Sequence, residues 1–159
     1  MIKVSENLYV GNDTSCSMCD AEWAIVHACK TCHQKFLRYK KALPQNHPSY
    51  IVHLEKNHLF LNLVDMEKMF LPVFTHPIMK ATFEFLDEQI PQRKVLIHCN
   101  QGQSRSAGLA LAYMAKKNLI ANADLKTAYV EFKKLYAPAQ LGKGIGLYLG
   151  NFWAEVMAL

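Results

Sequence analysis

The sequence predicts an α/β domain with a central, mostly parallel sheet of about four to five strands flanked by helices. Short apolar segments of strand length alternate with longer segments whose apolar residues recur at helical spacing. One stretch, residues 94–115, runs from an apolar strand through a tight loop directly into a helix. Together these patterns favour strands joined by helices over an all-helical or all-strand domain.

Size and composition are those of one ordinary globular domain. A chain of 159 residues can bury a core without disulfides, and its residues are 51% apolar and 19% charged. The longest apolar run, residues 108–115, is too short to span a bilayer, and the first residues lack the apolar core of a signal peptide. We therefore expect a single cytoplasmic domain, residues 1–159. The net charge of +5 is compatible with an anionic substrate.

The strands are predicted in the first two thirds of the chain. Residues 6–11 form a first strand that ends at Gly11, and residues 23–28 form a second. A third, residues 58–64, is followed directly by Asp65. Residues 94–98 complete the predicted set and lead into the tight loop.

Three further helices are predicted from apolar stripes. The first is 75–90, with Thr75 as its cap and Pro77 in its first turn, where proline is tolerated. The others are 124–136 and 145–157. The glycines of 142–146 resemble a nucleotide-binding loop only superficially, because they follow no strand and lack the full spacing.

The tight loop carries the chemistry. Residues 98–106 read His-Cys-Asn-Gln-Gly-Gln-Ser-Arg-Ser, with Cys99 and Arg105 on either side of Gly102. Loop amides and a helix N-terminus pointing at one spot form a cradle for phosphate or sulfate-like anions. Such surroundings also stabilise a thiolate, and a guanidinium can hold two phosphate oxygens at once. Gly102 suits a turn that brings amides inward.

The pattern His-Cys-x5-Arg-Ser resembles the signature of the cysteine-dependent protein phosphatases. The whole chain is similar to a small dual-specificity phosphatase, of an atypical or a prokaryotic or phage type. The resemblance implies that Cys99 is the nucleophile and that Ser106 eases departure of its thiolate. It implies that His98 holds the cysteine loop through hydrogen bonds. Phosphate is expected to bind to the loop residues Asn100, Gln101, Gly102, Gln103, Ser104 and Arg105, without a metal or other cofactor.

A general acid is expected after the third strand. Ligand sites of open sheets gather beyond the carboxyl ends of the strands, so Asp65 and Cys99 should project from the same edge. The family that the chain resembles carries an aspartate on this loop. Glu67 is the alternative, because the loop from Asp65 to Phe74 is longer than is usual in the family.

Residues 31–57 are predicted to be an insertion, since compact dual-specificity phosphatases join these strands more briefly. The segment begins with a basic stretch and continues into a turn-rich region that contains two prolines. It is either a flap that faces an anionic substrate or a solvated excursion on the surface. The sequence leaves both interpretations open.

The resemblance implies hydrolysis of phosphotyrosine and of phosphoserine or phosphothreonine in proteins, through a cysteinyl-phosphate. The alternatives are an RNA or nucleotide 5′-phosphatase, favoured by the basic insertion, and a phosphoinositide phosphatase, disfavoured because residues 100–104 contain no lysine. A phospho-residue binding module without turnover and a sulfur-transfer domain are further possibilities. Nucleic acid is a less favoured partner than a phosphorylated protein.

The other cysteines form two Cys-x2-Cys pairs, Cys16 with Cys19 and Cys29 with Cys32, and His27 and His33 lie nearby. Four thiolates could bind zinc. The predicted strand at 23–28 lies between the pairs, however, and is expected to hold them apart. Reduced structural thiols, or a redox partner for the nucleophile, are the other interpretations.

Overall fold

The fold is mixed α/β, and the computed structural model describes all 159 residues. The strands are β1 Ile2–Ser5, β2 Leu8–Gly11, β3 Ala24–His27, β4 Val52–Glu55, β5 His58–Leu61 and β6 Val95–His98. The helices are α1 Asp13–Cys16, α2 Lys30–Leu37, α3 Pro72–Gln89, α4 Arg105–Lys116, α5 Leu125–Leu135 and α6 Lys143–Ala158. None of these helices combines the length and hydropathy needed to cross a bilayer.

All strands join one sheet in the order β1-β2-β6-β3-β5-β4. The four central strands, β2, β6, β3 and β5, are parallel, whereas β1 and β4 pair antiparallel with their sequence neighbours at the two edges. The predicted mostly parallel sheet is confirmed, but it has six strands. Both extra strands belong to tight hairpins, which turn at Asn7 with φ 57° and at Lys56 with φ 52°.

The register of the central strands brings their carboxyl ends to one edge. His98, the last residue of β6, pairs with Gly11 on one side and with His27 on the other. The chain then turns at Cys99 into the loop that precedes α4. The loops that follow β2, β3 and β6 therefore lie next to one another at the carboxyl edge of the sheet.

Burial explains why β6 and α4 form the centre of the domain. All four residues of β6 are buried, as expected for an inner strand of a parallel sheet covered on both faces. In α4, every residue from Arg105 to Ala115 is buried. This helix packs against the sheet, α3, α5 and α6, so its N-terminus is held rigidly behind the loop.

Two predicted helix boundaries were wrong. Helix α3 begins at Pro72 rather than at Thr75, whose hydroxyl donates to the Leu71 carbonyl at 2.9 Å instead of capping the helix. Pro77 lies within the helix, where it cannot donate to the carbonyl of Val73, and the exposure of Val73 leaves that carbonyl near water. Helix α6 begins at Lys143, earlier than predicted.

The remaining boundaries differ by a few residues. Asp124 caps α5 by accepting the Thr127 amide hydrogen at 2.7 Å. The third predicted strand ends at Leu61, so residues 62–64 leave the sheet before Asp65. Within residues 31–57, the structure contains most of α2, a turn-rich loop and β4.

Helix packing makes a testable difference between two helical glycines. A Cβ at Gly108 would overlap Cδ1 of Ile145 and lie 2.9 Å from its Cγ1, whereas a Cβ at Gly150 meets nothing closer than Leu125 Cδ2 at 3.8 Å. Gly108→Ala should therefore destabilise the domain by about 1–3 kcal/mol through overpacking. Gly150→Ala should instead stabilise it by up to about 1 kcal/mol through helix propensity.

Chemical denaturation of both variants checks this prediction. Adding Ile145→Val, which removes the overlapping methyl group, should restore much of the stability lost in Gly108→Ala. Equal effects of the two alanine substitutions would show that close packing of α4 on α6 does not limit position 108.

Candidate active site

The loop between β6 and α4 wraps around the Cys99 thiol. Cys99 is 2% exposed, and its Sγ lies 3.2 Å from the Ser106 hydroxyl. That hydroxyl also lies within 3.4 Å of the Gly11 carbonyl, to which it can donate. Ser106 is thus placed to give its hydrogen to a thiolate, while Gly11 at the end of β2 supports it from behind.

Gly102 adopts a conformation that other residues rarely take. Its φ is +75°, and a Cβ there would lie 2.8 Å from the Gly11 carbonyl oxygen. The carbonyl of Gly102 accepts a hydrogen bond from the Tyr136 hydroxyl at 2.8 Å. Burial raises the pKa of Tyr136 to about 12, which keeps this hydroxyl protonated as the donor.

The segment before α6 holds the other side of the loop. The Gln140 amide donates to the Gln103 carbonyl at 2.8 Å, and the Gly142 amide donates to the Ser104 hydroxyl at 2.9 Å. The glycines at 142–146 therefore begin a helix and support the cysteine loop, and their position fits no nucleotide-binding loop between a strand and a helix.

Arg105 is a buried cation in which one nitrogen has no partner. Its Nη1 donates to the Leu63 carbonyl at 3.1 Å and its Nη2 to the Asn100 side-chain oxygen at 3.0 Å. The residue is 6% exposed, and its Nε has no hydrogen-bond partner. Because Arg105 lines the same cleft as Cys99, an oxyanion bound there can satisfy this donor.

Asp65 and Glu67 both line this cleft, which has a volume of 400 Å³. An Asp65 carboxylate oxygen lies 3.8 Å from Nη2 of Arg105, and its side chain is about half exposed. Glu67 is far more exposed and pairs with Lys143 at 3.1 Å. The geometry favours Asp65 as the acid, although its role stays a prediction.

The loop that carries Asp65 is fastened to α6. The Gly144 amide donates to the Met66 carbonyl at 3.0 Å, and the Phe70 amide donates to the Gly144 carbonyl at 3.1 Å. A Cβ at Gly144 would lie 2.9 Å from that Met66 carbonyl, so only glycine allows this approach. The long loop after β5 is thereby held over the cleft.

Comparison with solved structures identifies the fold. The human tyrosine phosphatase-like serine/threonine/tyrosine-interacting protein matches 98% of this chain and 96% of its own, with a TM-score of 0.67 and 18% identity. DUSP15 matches 99% of this chain and 92% of its own, with a TM-score of 0.64 and 18% identity. The chain has the dual-specificity phosphatase fold. The resemblance inferred from the loop signature is confirmed.

Sequence comparison agrees over part of the chain. The dual specificity protein phosphatase YVH1 of Plasmodium falciparum is 34% identical over 88 residues, or 53% of this chain. The match spans only 13% of that longer protein. The Yvh1 phosphatase domain from Chaetomium thermophilum has a TM-score of 0.61 and 18% identity, covering 97% of this chain and 94% of its own. No protein-family profile matches the sequence.

Within the phosphatase fold, the ring of His98 belongs to a row of three histidines behind the cysteine loop. Its Nε2 lies 2.8 Å from Nδ1 of His27, whose Nε2 lies 3.0 Å from Nδ1 of His58. Its own Nδ1 has no hydrogen-bond partner. Burial lowers the pKa of His98 to about 4 and that of His27 to about 2, so both rings are uncharged at neutral pH. The predicted loop-holding role of His98 is untested.

Several contributors to the candidate site were missed from the sequence. Asn100 was assigned to substrate, but its amide also connects Arg105 to Thr31 of α2, with Nδ2 donating to the threonine hydroxyl at 3.2 Å. Tyr136 and the Leu63 carbonyl had no local signal, because both lie far away in sequence. His27 could have been found, since it ends the strand paired with β6. Gln101 and Gln103 are exposed and line the cleft, and their role in substrate binding stays a prediction.

The cysteines outside the loop do not form a four-thiolate group. All five cysteines are free thiols, and Cys19 donates to the Ser15 carbonyl at 3.5 Å. The ligand atoms of Cys29, Cys32 and His98 lie within 4.8 Å of one another, and so do those of Cys16, His27 and His98. A hydrogen bond from Cys32 lowers the pKa of Cys29 to about 6.

An apolar groove of 340 Å³ adjoins the site. It shares Met66 with the cleft that contains Cys99, and its wall includes Leu63, whose carbonyl accepts a hydrogen bond from Arg105. The opposite wall comes from Tyr50 and Ile51 in the predicted insertion. Apolar side chains beside the cleft are exposed at Val64, Met66, Leu71, Val73 and Phe74.

The positive φ of Gly102 provides a test of the cradle. Gly102→Ala should impose about 1–3 kcal/mol of backbone strain and push the loop away from Gly11. Binding of tungstate, measured by calorimetry, should weaken strongly while the circular dichroism spectrum stays that of the folded protein. Gly146→Ala, where a Cβ meets nothing closer than 3.5 Å, is the matched control and should bind tungstate normally. Equal tungstate affinity in both variants would show that the anion does not bind in this loop.

Proposed function

We propose that this chain is a cysteine-dependent phosphatase that hydrolyses phosphotyrosine and phosphoserine or phosphothreonine in proteins. The observation that carries the proposal is the shared cleft of the Cys99 thiol and the buried Arg105 guanidinium, whose Nε has no partner. A phosphate group supplies the missing acceptors and brings phosphorus to the sulfur. The dual-specificity phosphatases of similar fold and the partial match to YVH1 support the same activity.

In the first step, the Cys99 thiolate attacks phosphorus and displaces the substrate oxygen, which leaves a cysteinyl-phosphate. Arg105 and the loop amides stabilise the charge on the equatorial oxygens, and this is the largest contribution expected. Asp65, protonated, donates its hydrogen to the departing oxygen. The 3.8 Å between its carboxylate and Nη2 of Arg105 supports this assignment.

In the second step, water attacks phosphorus and Cys99 leaves as a thiolate. Asp65, now ionised, takes a proton from that water. The Ser106 hydroxyl, 3.2 Å from Sγ, donates to the departing thiolate and lowers the energy of its release. Splitting one displacement into two through a covalent intermediate is the advantage of a nucleophilic side chain.

The surroundings of the cleft support a protein substrate. The apolar groove continues from the cleft through Met66 and can receive an apolar side chain next to the phosphorylated residue. Because Tyr50 and Ile51 form one wall, residues 31–57 act in this proposal as a substrate-facing flap. No lysine from the cysteine loop is present for a polyphosphorylated inositol ring, which disfavours a phosphoinositide.

Replacing the nucleophile tests the function directly. Cys99→Ser should reduce hydrolysis of p-nitrophenyl phosphate and of a phosphotyrosine peptide to background, because a serine hydroxyl lacks a comparable ionised form at neutral pH. Phosphopeptide affinity should persist, since the cradle and Arg105 remain. Cys19→Ser, outside the cleft, is the matched control with normal turnover. An inactive wild-type protein that binds phosphopeptide would instead indicate a binding module.

The general acid is tested by comparing leaving groups. Asp65→Asn should slow hydrolysis of phosphoserine peptides by about 10²–10⁴-fold, because serine is a poor leaving group that needs a proton. Hydrolysis of p-nitrophenyl phosphate should fall much less. Glu67→Gln is the matched control and should leave both rates near wild type. If Glu67→Gln instead slowed hydrolysis of phosphoserine peptides selectively, Glu67 would be the general acid.

A further inference from the structure

A group of thiols and imidazoles lies immediately behind the cysteine loop. Cys29 begins and Cys32 continues the first turn of α2, and their sulfur atoms lie within 4.8 Å of each other and of a ring nitrogen of His98. Cys29 and His98 are fully buried, while Cys32 is half-buried. None of the steps of phosphate hydrolysis uses the two cysteines.

A second group meets the first at the same histidine. Sγ of Cys16 lies 3.9 Å from Nδ1 of His27, which lies 2.8 Å from Nε2 of His98. These three residues also place their ligand atoms within 4.8 Å of one another. Sulfur and nitrogen donors from α1, β3, α2 and β6 therefore converge on His98.

We propose that Cys29, Cys32 and His98, with Cys16 as the fourth ligand, bind a thiophilic divalent metal ion such as Zn²⁺. Donor atoms of a tetrahedral zinc site lie about 2.0–2.3 Å from the metal, so they stand closer to each other than the 4.8 Å limit that Cys29, Cys32 and His98 meet. A small contraction therefore suffices for these three ligands. Cys16 meets the same limit with His98 but not with the whole group, so it has farther to move. Soft thiolates with an imidazole select zinc over magnesium or calcium. On binding, the metal displaces a proton from each thiol that is still protonated.

The unpartnered Nδ1 of His98 is an independent sign that something is missing here. Fully buried ring nitrogens normally have a hydrogen-bond partner, and this one has none. The metal can bind either ring nitrogen of His98. Binding to Nδ1 gives this nitrogen a partner, whereas binding to Nε2 replaces its hydrogen bond with His27. In both cases the metal joins the ends of α1 and β6 to the start of α2.

The sequence explains why this site is not the four-thiolate site that the spacing first suggests. Cys19 faces the Ser15 carbonyl and does not reach the group. His33, the other nearby histidine, bonds to Tyr39 and to the Ser49 carbonyl. The ligand set therefore takes a single cysteine from the first pair, both from the second, and the histidine that precedes the nucleophile.

Cobalt titration tests the site without relying on activity. Reduced, chelator-treated protein should bind one equivalent of Co²⁺ with a thiolate-to-cobalt charge-transfer band, which one equivalent of Zn²⁺ removes. Cys29→Ser and Cys32→Ser should each weaken binding by more than about 100-fold, since loss of a ligand exceeds the loss of a supporting contact. If Cys29→Ser does not fold because position 29 is buried, the affinity of Cys32→Ser for Co²⁺ decides the test.

Two controls separate this site from other thiols. Cys19→Ser and Cys99→Ser should both retain the cobalt band, because neither residue belongs to the ligand set. X-ray absorption of the wild-type zinc complex should show three sulfur ligands and one nitrogen. Loss of the band in Cys99→Ser, its persistence in Cys29→Ser/Cys32→Ser, or the absence of stoichiometric binding to wild-type protein would overturn the proposal.

Discussion

The burial of one guanidinium group governs the arrangement of the site. A charge removed from water is costly unless acceptors replace the lost solvation, and Arg105 is only 6% exposed. The protein supplies a carbonyl from Leu63 and an amide oxygen from Asn100 but leaves Nε unpaired. Those two contacts fix the start of α4, the loop and the segment after β5 relative to one another. The unpaired Nε creates a strong local preference for an anion.

The rest of the fold holds the cysteine loop in position beside Arg105, so that the anion is bound at one place. The parallel strands β2, β3, β5 and β6 all end at the same edge of the sheet. The buried helix α4 packs behind the cysteine loop and fixes its position. From the other side, Tyr136 and Gly142 hold the loop through its Gly102 carbonyl and Ser104 hydroxyl. A loop supported on both sides can keep its amides pointing inward without a bound ligand, which is the preorganisation that phosphate chemistry requires.

Local pattern predicted the parts of this protein in which neighbours in sequence are also neighbours in space. The strand at 95–98, the turn at Gly102 and the helix after Arg105 could all be inferred, because one short segment contains them. The edge strands β1 and β4 were missed, since short, partly exposed strands carry little apolar signal. Tyr136 and Leu63 act through tertiary contacts, and no periodicity or spacing near Cys99 indicates them. The start of α3 was misjudged because Thr75 has the residue type of a cap, while Pro72 fits the first turn better.

The row of rings from His98 through His27 to His58 restricts where hydrogen atoms can be. Each uncharged imidazole carries one N–H, and a bond between two rings needs a hydrogen on one nitrogen only. If His27 donates to His58, it must accept from His98; if it donates to His98, it must accept from His58. A change of tautomer in one of the three histidines therefore requires a change in the other two. Through them, the hydrogen-bonding state of the partly exposed His58 determines which nitrogen of His98 carries its hydrogen, one residue from the nucleophilic thiol.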